Sequence, residues 1–303
     1  MPNLNEEMLE KLYNSQKKRL ALNWIIIISV MLITHFIRIL LDGSFEDKTS
    51  LNTIILLIDI IPFIFIFYTY KKIIPAGNGG LVRKAYKVLQ QDYSSEASVE
   101  MLYRFIGQSS KYPEKVRLTL LLADIQTLRG NINEALQLLY SVDRSGFDKY
   151  PDLGMSFYAE IISVYNNIDD SESVIRAYAD SEIFMERAVQ NNYSCCITAF
   201  GAMTCVEKAR GNYKRALELR LIRNKFENQF NSSIGASQQG TPLSRLISGS
   251  VFCETAELYY LCGDLDSAAK YLDIGGPMVS GCKFALEGAN KLSEKLRNEL
   301  NNR

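Results

Sequence analysis

Three stretches of this chain carry one punctuation: RGNINEALQLL at 129–139, RGNYKRALELR at 210–220 and CGDLDSAAKYL at 262–272. Each has a glycine, then Asn or Asp, and an alanine five positions after the glycine, giving the pairs Gly130/Ala135, Gly211/Ala216 and Gly263/Ala268. Glycine accepts the positive φ that ends a helix, and Asn or Asp after it can cap the next one. The alanine is small enough for two antiparallel helices to approach closely. Each copy therefore predicts a helical hairpin. A degenerate copy, MSFYAEIISVYNNIDDSESVIRAYAD, has Asp169 in the glycine's place, with Tyr165 and Val174 standing in for the usual residues around it. The turns at 130, 169, 211 and 263 are spaced by 39, 42 and 52 residues.

The segments on either side fit a stack of such hairpins. LVRKAYKVLQQDY and SVEMLYRFIGQ form a divergent starting pair, and FALEGANKLSEKLRNEL places Ala285, Ala289, Leu292, Leu296 and Leu300 on one face. A terminal amphipathic helix of that kind closes the last exposed core face. NQFNSSIGASQQGTP is a polar insertion between repeats, ended by Thr241 as a cap and Pro242 at the first helical position.

Before Gly130, Leu122 and Ala123 form a large and small pair on the first helix, followed by Ala135 and Leu139 on the second; Ala256, Tyr259, Ala268 and Leu272 repeat the arrangement around Gly263. The copy around Gly211 departs from it, with Met203 and Thr204 ahead of the turn and Arg220 where an aromatic or aliphatic residue is usual. This pattern resembles the tetratricopeptide repeat family, whose period is about 34 residues. The resemblance covers residues 81–303 and implies an α-solenoid with a concave surface that binds protein segments. Some members hold a peptide's terminal carboxylate there with Lys and Asn. The matching positions here are Leu120 and Asp124, Ala159 and Ser163, Gly201 and Cys205, and Cys253 and Glu257. The basic clamp is absent, so an apolar helix or an extended peptide bearing a basic group suits the groove better. The residues expected on this face are Arg117, Asp124, Asn166, Lys208, Glu257 and Tyr260, with Tyr260 and Arg117 the preferred anchors because such residues dominate interfaces.

A different pattern governs the start. LALNWIIIISVMLITHFIRILL at 20–41 and LNTIILLIDIIPFIFIFYTY at 51–70 are each long enough to predict a membrane span. Lys17, Lys18, Arg19, Lys71 and Lys72 flank the pair, and Asp42, Glu46 and Asp47 lie between the spans, so the positive-inside rule puts both ends and everything after them in the cytoplasm. The expected organisation is a cytoplasmic N-terminal helix over 1–19, a transmembrane hairpin over 20–72, a Pro and Gly linker over 73–80, and the solenoid with its capping helix over 81–303. Arg38 is near enough to the outer end to snorkel. His35 lies about 9 Å and Asp59 about 12 Å in from that end, so the two could meet within the hairpin. Pro62 predicts a kink in the second span.

Formal charge is zero, from 34 basic and 34 acidic side chains, so no global field recruits nucleic acid. Six cysteines without CxxC spacing read as reduced, small apolar residues. The one histidine, His35, falls in the first apolar run, leaving no Ser, His and Asp set in the repeats. GNGG lacks the following Lys-Ser or Lys-Thr of a phosphate loop. The sequence thus predicts no enzyme, cofactor or metal, and an integral-membrane adaptor or scaffold that binds a protein or peptide partner. The alternative is a small subunit of a membrane transport or signalling complex with His35, Arg38 and Asp59 as a polar site.

Overall fold

The computed structural model describes residues 6–42, 80–190, 193–233 and 240–302. They fall in two compact units, Glu10–Asn78, and Gly79–Arg303 together with Met1–Leu9. Among the described residues every regular element is an α-helix and none is a strand. The all-α expectation holds.

Helix α1 runs Glu6–Asp42 and takes in the first expected span. Among the described residues, however, no helix is long and apolar enough to cross a membrane. The second expected span, 51–70, lies outside the described residues, as do Pro62 and residues 73–79 of the expected linker, whereas its last residue, Gly80, opens a helix. The integral-membrane placement is corrected accordingly. The cytoplasmic assignment of both termini and of the repeats depended on orienting two spans, and it falls with them.

The larger unit is built from α2 (Gly80–Gln91), α3 (Glu96–Gln108), α4 (Tyr112–Leu128), α5 (Ile132–Tyr140), α6 (Pro151–Asn167), α7 (Ser171–Val189), α8 (Tyr193–Ala209), α9 (Tyr213–Ser233), α10 (Pro242–Leu261), α11 (Leu265–Met278) and α12 (Lys283–Asn301). Proline opens α4, α6 and α10, where its missing N–H and fixed φ suit the first turn. The Thr241 side chain caps α10 by accepting from Ser244 N at 3.2 Å, as the sequence predicts.

Four helix ends share one backbone geometry. Gly130, Gly211 and Gly263 have φ of 82°, 78° and 82°, and Asp169 takes φ 57°. In each case the next residue's N–H reaches back to the carbonyl five positions earlier: Asn131 to Gln126, Asp170 to Tyr165, Asn212 to Glu207 and Asp264 to Tyr259, at 2.8–3.0 Å. This is the Schellman closure, which satisfies carbonyls that the helix end would otherwise strand. The following residue then divides by type. Asp170 and Asp264 accept from Ser173 N and Ser267 N and so cap the next helix. The amides of Asn131 and Asn212 instead donate back to Gln126 and Glu207 at 2.9 and 2.8 Å.

Beyond each turn the expected small residue is buried: Ala135, Ala216 and Ala268 are 0% exposed, and Val174, at the same offset from Asp169, is 1% exposed. The hairpins α4–α5, α6–α7, α8–α9 and α10–α11 follow, and the first helices α4, α6 and α8 pack in sequence. In α10–α11 the helices touch through glycine. A Cβ on Gly275 would come within 2.8 Å of the Gly249 carbonyl.

The two ends of the stack also meet. Helix α2 packs on α3, α4 and α10, and α12 packs on α10 and α11. One core unites Val82, Ala85 and Leu89 of α2 with Leu243 and Leu246 of α10 and with Ala289, Leu292 and Leu296 of α12. The Cys282 thiol donates to Leu128 O, at the end of α4, at 2.7 Å.

The left-handed turn positions give opposite expected signs on substitution. At Gly211 an added Cβ meets no atom within 4 Å, so Gly211→Ala tests conformation alone and should cost about 1–2 kcal/mol. Asp169→Gly should instead raise stability by up to about 1 kcal/mol. Urea unfolding of both variants checks the pair. At Ala135 and Ala268, leucine should overpack the helix contact and cost about 1–3 kcal/mol in the same assay.

Candidate functional site

The six residues expected on the concave face fall into three places. Arg117 and Asp124 lie on α4 with Asp152 and Glu160 of the adjacent α6. Arg117 Nη2 donates to Asp152 Oδ2 at 2.8 Å, and its buried Nε has no partner. Burial pushes the Asp124 carboxyl from 3.8 up to about 6. Burial, and then the charge of Asp124, pushes Glu160 well above its ordinary value. Glu160 Oε1 is buried and accepts no hydrogen bond. Tyr86 of α2 completes this group: burial of its hydroxyl end, and then the charge of Asp124, raise its pKa, while the residue as a whole is 48% exposed. Two carboxyl groups on adjacent helices, one short of a donor, stand beside an accessible aromatic ring.

The second place is a cavity of about 10 Å³ lined by Asn166 of α6, Thr204, Cys205 and Lys208 of α8, Arg220 of α9, and Glu254, Glu257 and Leu258 of α10. Lys208 Nζ donates to Glu257 Oε2 at 2.8 Å, tying α8 to α10. Arg220, only 3% exposed, pairs through Nη2 with Glu254. Its Nε and Nη1 are buried without partners. Burial and the neighbouring Arg223 lower the Arg220 guanidinium from 12.5 to about 10. Arg223 lies against Gly201, where an added Cβ would come within 2.6 Å of its Nη1. Gly201, expected on the open groove, thus admits a side chain from its own hairpin partner.

Tyr260 stands apart from both. Its hydroxyl donates to Glu299 Oε1 of α12 at 2.5 Å, an interaction that raises its pKa. It therefore belongs to the contact between α10 and the last helix. Of the intramembrane set, His35 is exposed on α1, the Arg38 side chain is outside the described residues, and so is Asp59.

Two central residues had visible signals in the sequence. Arg220 interrupts an apolar repeat position, and Glu160 is the one charge between Leu153 and Asn167. Tyr86, Asp152 and Glu254 carry no such mark and are found only through helix packing.

None of the six cysteines, all of them among the described residues, is in a disulfide. Burial raises Cys195 and Cys196 to about 12 and Cys253 to about 11, which keeps them protonated and poor nucleophiles at neutral pH. Among the described residues, no group of three or more His, Cys, Asp or Glu side chains could hold a metal ion. No family model, curated protein or solved structure matches the chain.

The carboxyl pair on α4 and α6 sets a pH dependence. Because burial raises the folded pKa of both groups, their protonated forms favour the fold. That contribution is full below the ordinary 3.8 of Asp124 and is lost as pH rises through its folded value of about 6. Glu160→Gln should therefore raise the melting temperature by about 3 °C or more at pH 8, with the gain vanishing near pH 4. Thermal unfolding of the variant and the unmodified chain across that range checks the sign.

Proposed function

We propose that residues 81–303 form a TPR-like α-solenoid that acts as a binding scaffold, not a catalyst, and that it captures a protein segment presenting a basic side chain to Asp124 and Glu160. One observation carries this reading: an inward carboxyl pair, held at a cost to stability, with Glu160 Oε1 unsatisfied. A cation between the two would supply the missing donor and remove their repulsion. The half-exposed ring of Tyr86 adds an apolar or cation–π surface beside the pair. Arg117, already engaged with Asp152, orients the far side of the site and does not neutralise Glu160. The absence of the Lys and Asn clamp at the family's carboxylate positions argues for the same polarity of partner.

Capture by a cation is linked to proton release. The partner should bind more tightly at pH 8 than at pH 5.5, because the Asp124 carboxyl titrates at about 6 and Glu160 also above its ordinary range. Affinity purification on the immobilised repeat unit, with partners identified by mass spectrometry, supplies the ligand, and calorimetry then measures it. The double variant Asp124→Asn/Glu160→Gln should lose about tenfold or more in affinity, roughly 1.4 kcal/mol, while remaining folded. Unchanged affinity and no pH dependence in that variant would remove the carboxyl pair from the interface.

A further inference from the structure

The small cavity between α6, α8, α9 and α10 is not used by that reading, and its lining is unbalanced in one respect. Each of its carboxylates is already paired: Glu254 with Arg220, and Glu257 with Lys208 at 2.8 Å. The two buried Arg220 donors that remain, Nε and Nη1, have nothing to donate to. A buried charged donor without an acceptor is costly, and a native fold keeps such groups satisfied. A second guanidinium stands beside it. Arg223 Nε is buried 3.5 Å from Glu227 Oε2, an ion pair that makes no hydrogen bond. The donors left over belong to like charges from one face of one helix, α9.

We propose that this cavity is a binding site for a single monovalent inorganic anion of halide size, held by Arg220. A volume of about 10 Å³ holds one small sphere. A halide accepts and donates nothing; Nε–H and Nη1–H lie on different edges of the guanidinium, so one ion satisfies one of these two Arg220 donors without requiring a new acceptor. It also screens Arg220 from Arg223, whose proximity works against the charge on Arg220. A water molecule would accept from the guanidinium but would bring two hydrogens of its own. Lys208, through its remaining ammonium hydrogens, and the Asn166 amide offer further donors around the same space. Glu254 and Glu257 limit the affinity, which sets the expected range at millimolar.

The test compares the full chain in sodium chloride and in sodium gluconate at equal ionic strength. Chloride should raise the melting temperature saturably, by about 3 °C once it reaches roughly ten times its dissociation constant. Arg220→Met should abolish the chloride-specific part. A crystal grown in sodium bromide gives a readout independent of any variant: anomalous density within the cavity supports the site. A water molecule there with bromide confined to the surface overturns it, as do equal melting temperatures in the two salts.

Discussion

The left-handed residue at the end of each first helix is the constraint on which the rest of the larger unit depends. At φ near +80° the chain reverses at once, and the backbone bond to the carbonyl five residues back fixes the angle of that reversal. The second helix must then lie close along the first, which is possible only where its inward residue is small. Ala135, Ala216 and Ala268 meet that condition at zero exposure, and Val174 meets it in the one turn where aspartate replaces glycine. Hairpins closed in this way expose an apolar edge that only a neighbouring hairpin can cover, so the stack propagates by nearest-neighbour burial. Its two outer edges face the same problem, and α2 and α12 solve it by joining one core with α10.

Within that frame the buried polar groups cannot be explained by stability alone. Helix packing would be satisfied by aliphatic residues at the positions of Asp124, Glu160 and Arg220, and isosteric apolar replacements of buried charges are often neutral or stabilising. Instead α4 and α6 hold two carboxyl groups whose burial raises both their pKa values, and α9 holds a guanidinium with two unmet donors. The two places differ in polarity: the first gathers carboxyl groups, the second a guanidinium with unmet donors.

The turns and the hairpin order were legible because both are local. Glycine at 130, 211 and 263 encodes φ directly, and Thr241 with Pro242 encodes a helix start, so neither needed knowledge of distant residues. Even Asp169 was readable from its spacing. What joins distant segments was not readable in the same way. The meeting of α2 with α10, and the Cys282 bond to Leu128 O, depend on how several small rotations between hairpins accumulate, which no single residue sets. The contact of Gly249 with Gly275 likewise looks, in sequence, like two unremarkable helical glycines. For the site, periodicity found the inward positions Arg117, Asp124, Asn166, Lys208 and Glu257 but assigned them to one groove. Packing divides them between two clusters, and it draws in Glu160 and Arg220 from positions that periodicity reserves for the core.

Helix α10 connects these features mechanically. It carries Glu254 and Glu257 toward α9 and α8, touches α2 at the seam between the two ends of the stack, and holds α12 through Tyr260 and Glu299. Opening that seam by shifting α10 would draw Glu254 away from Arg220, a guanidinium that is 3% exposed, and break their ion pair. Losing the partner of a buried ion costs on the order of 3 kcal/mol. The apolar core at the seam resists the same shift from the other side, through Leu243 and Leu246 packed with Val82, Ala85 and Leu89. The closed arrangement is therefore held by two unlike interactions acting on one helix, one electrostatic and one apolar. They respond differently to conditions: salt and pH act on the charges, whereas cooling weakens the apolar contact.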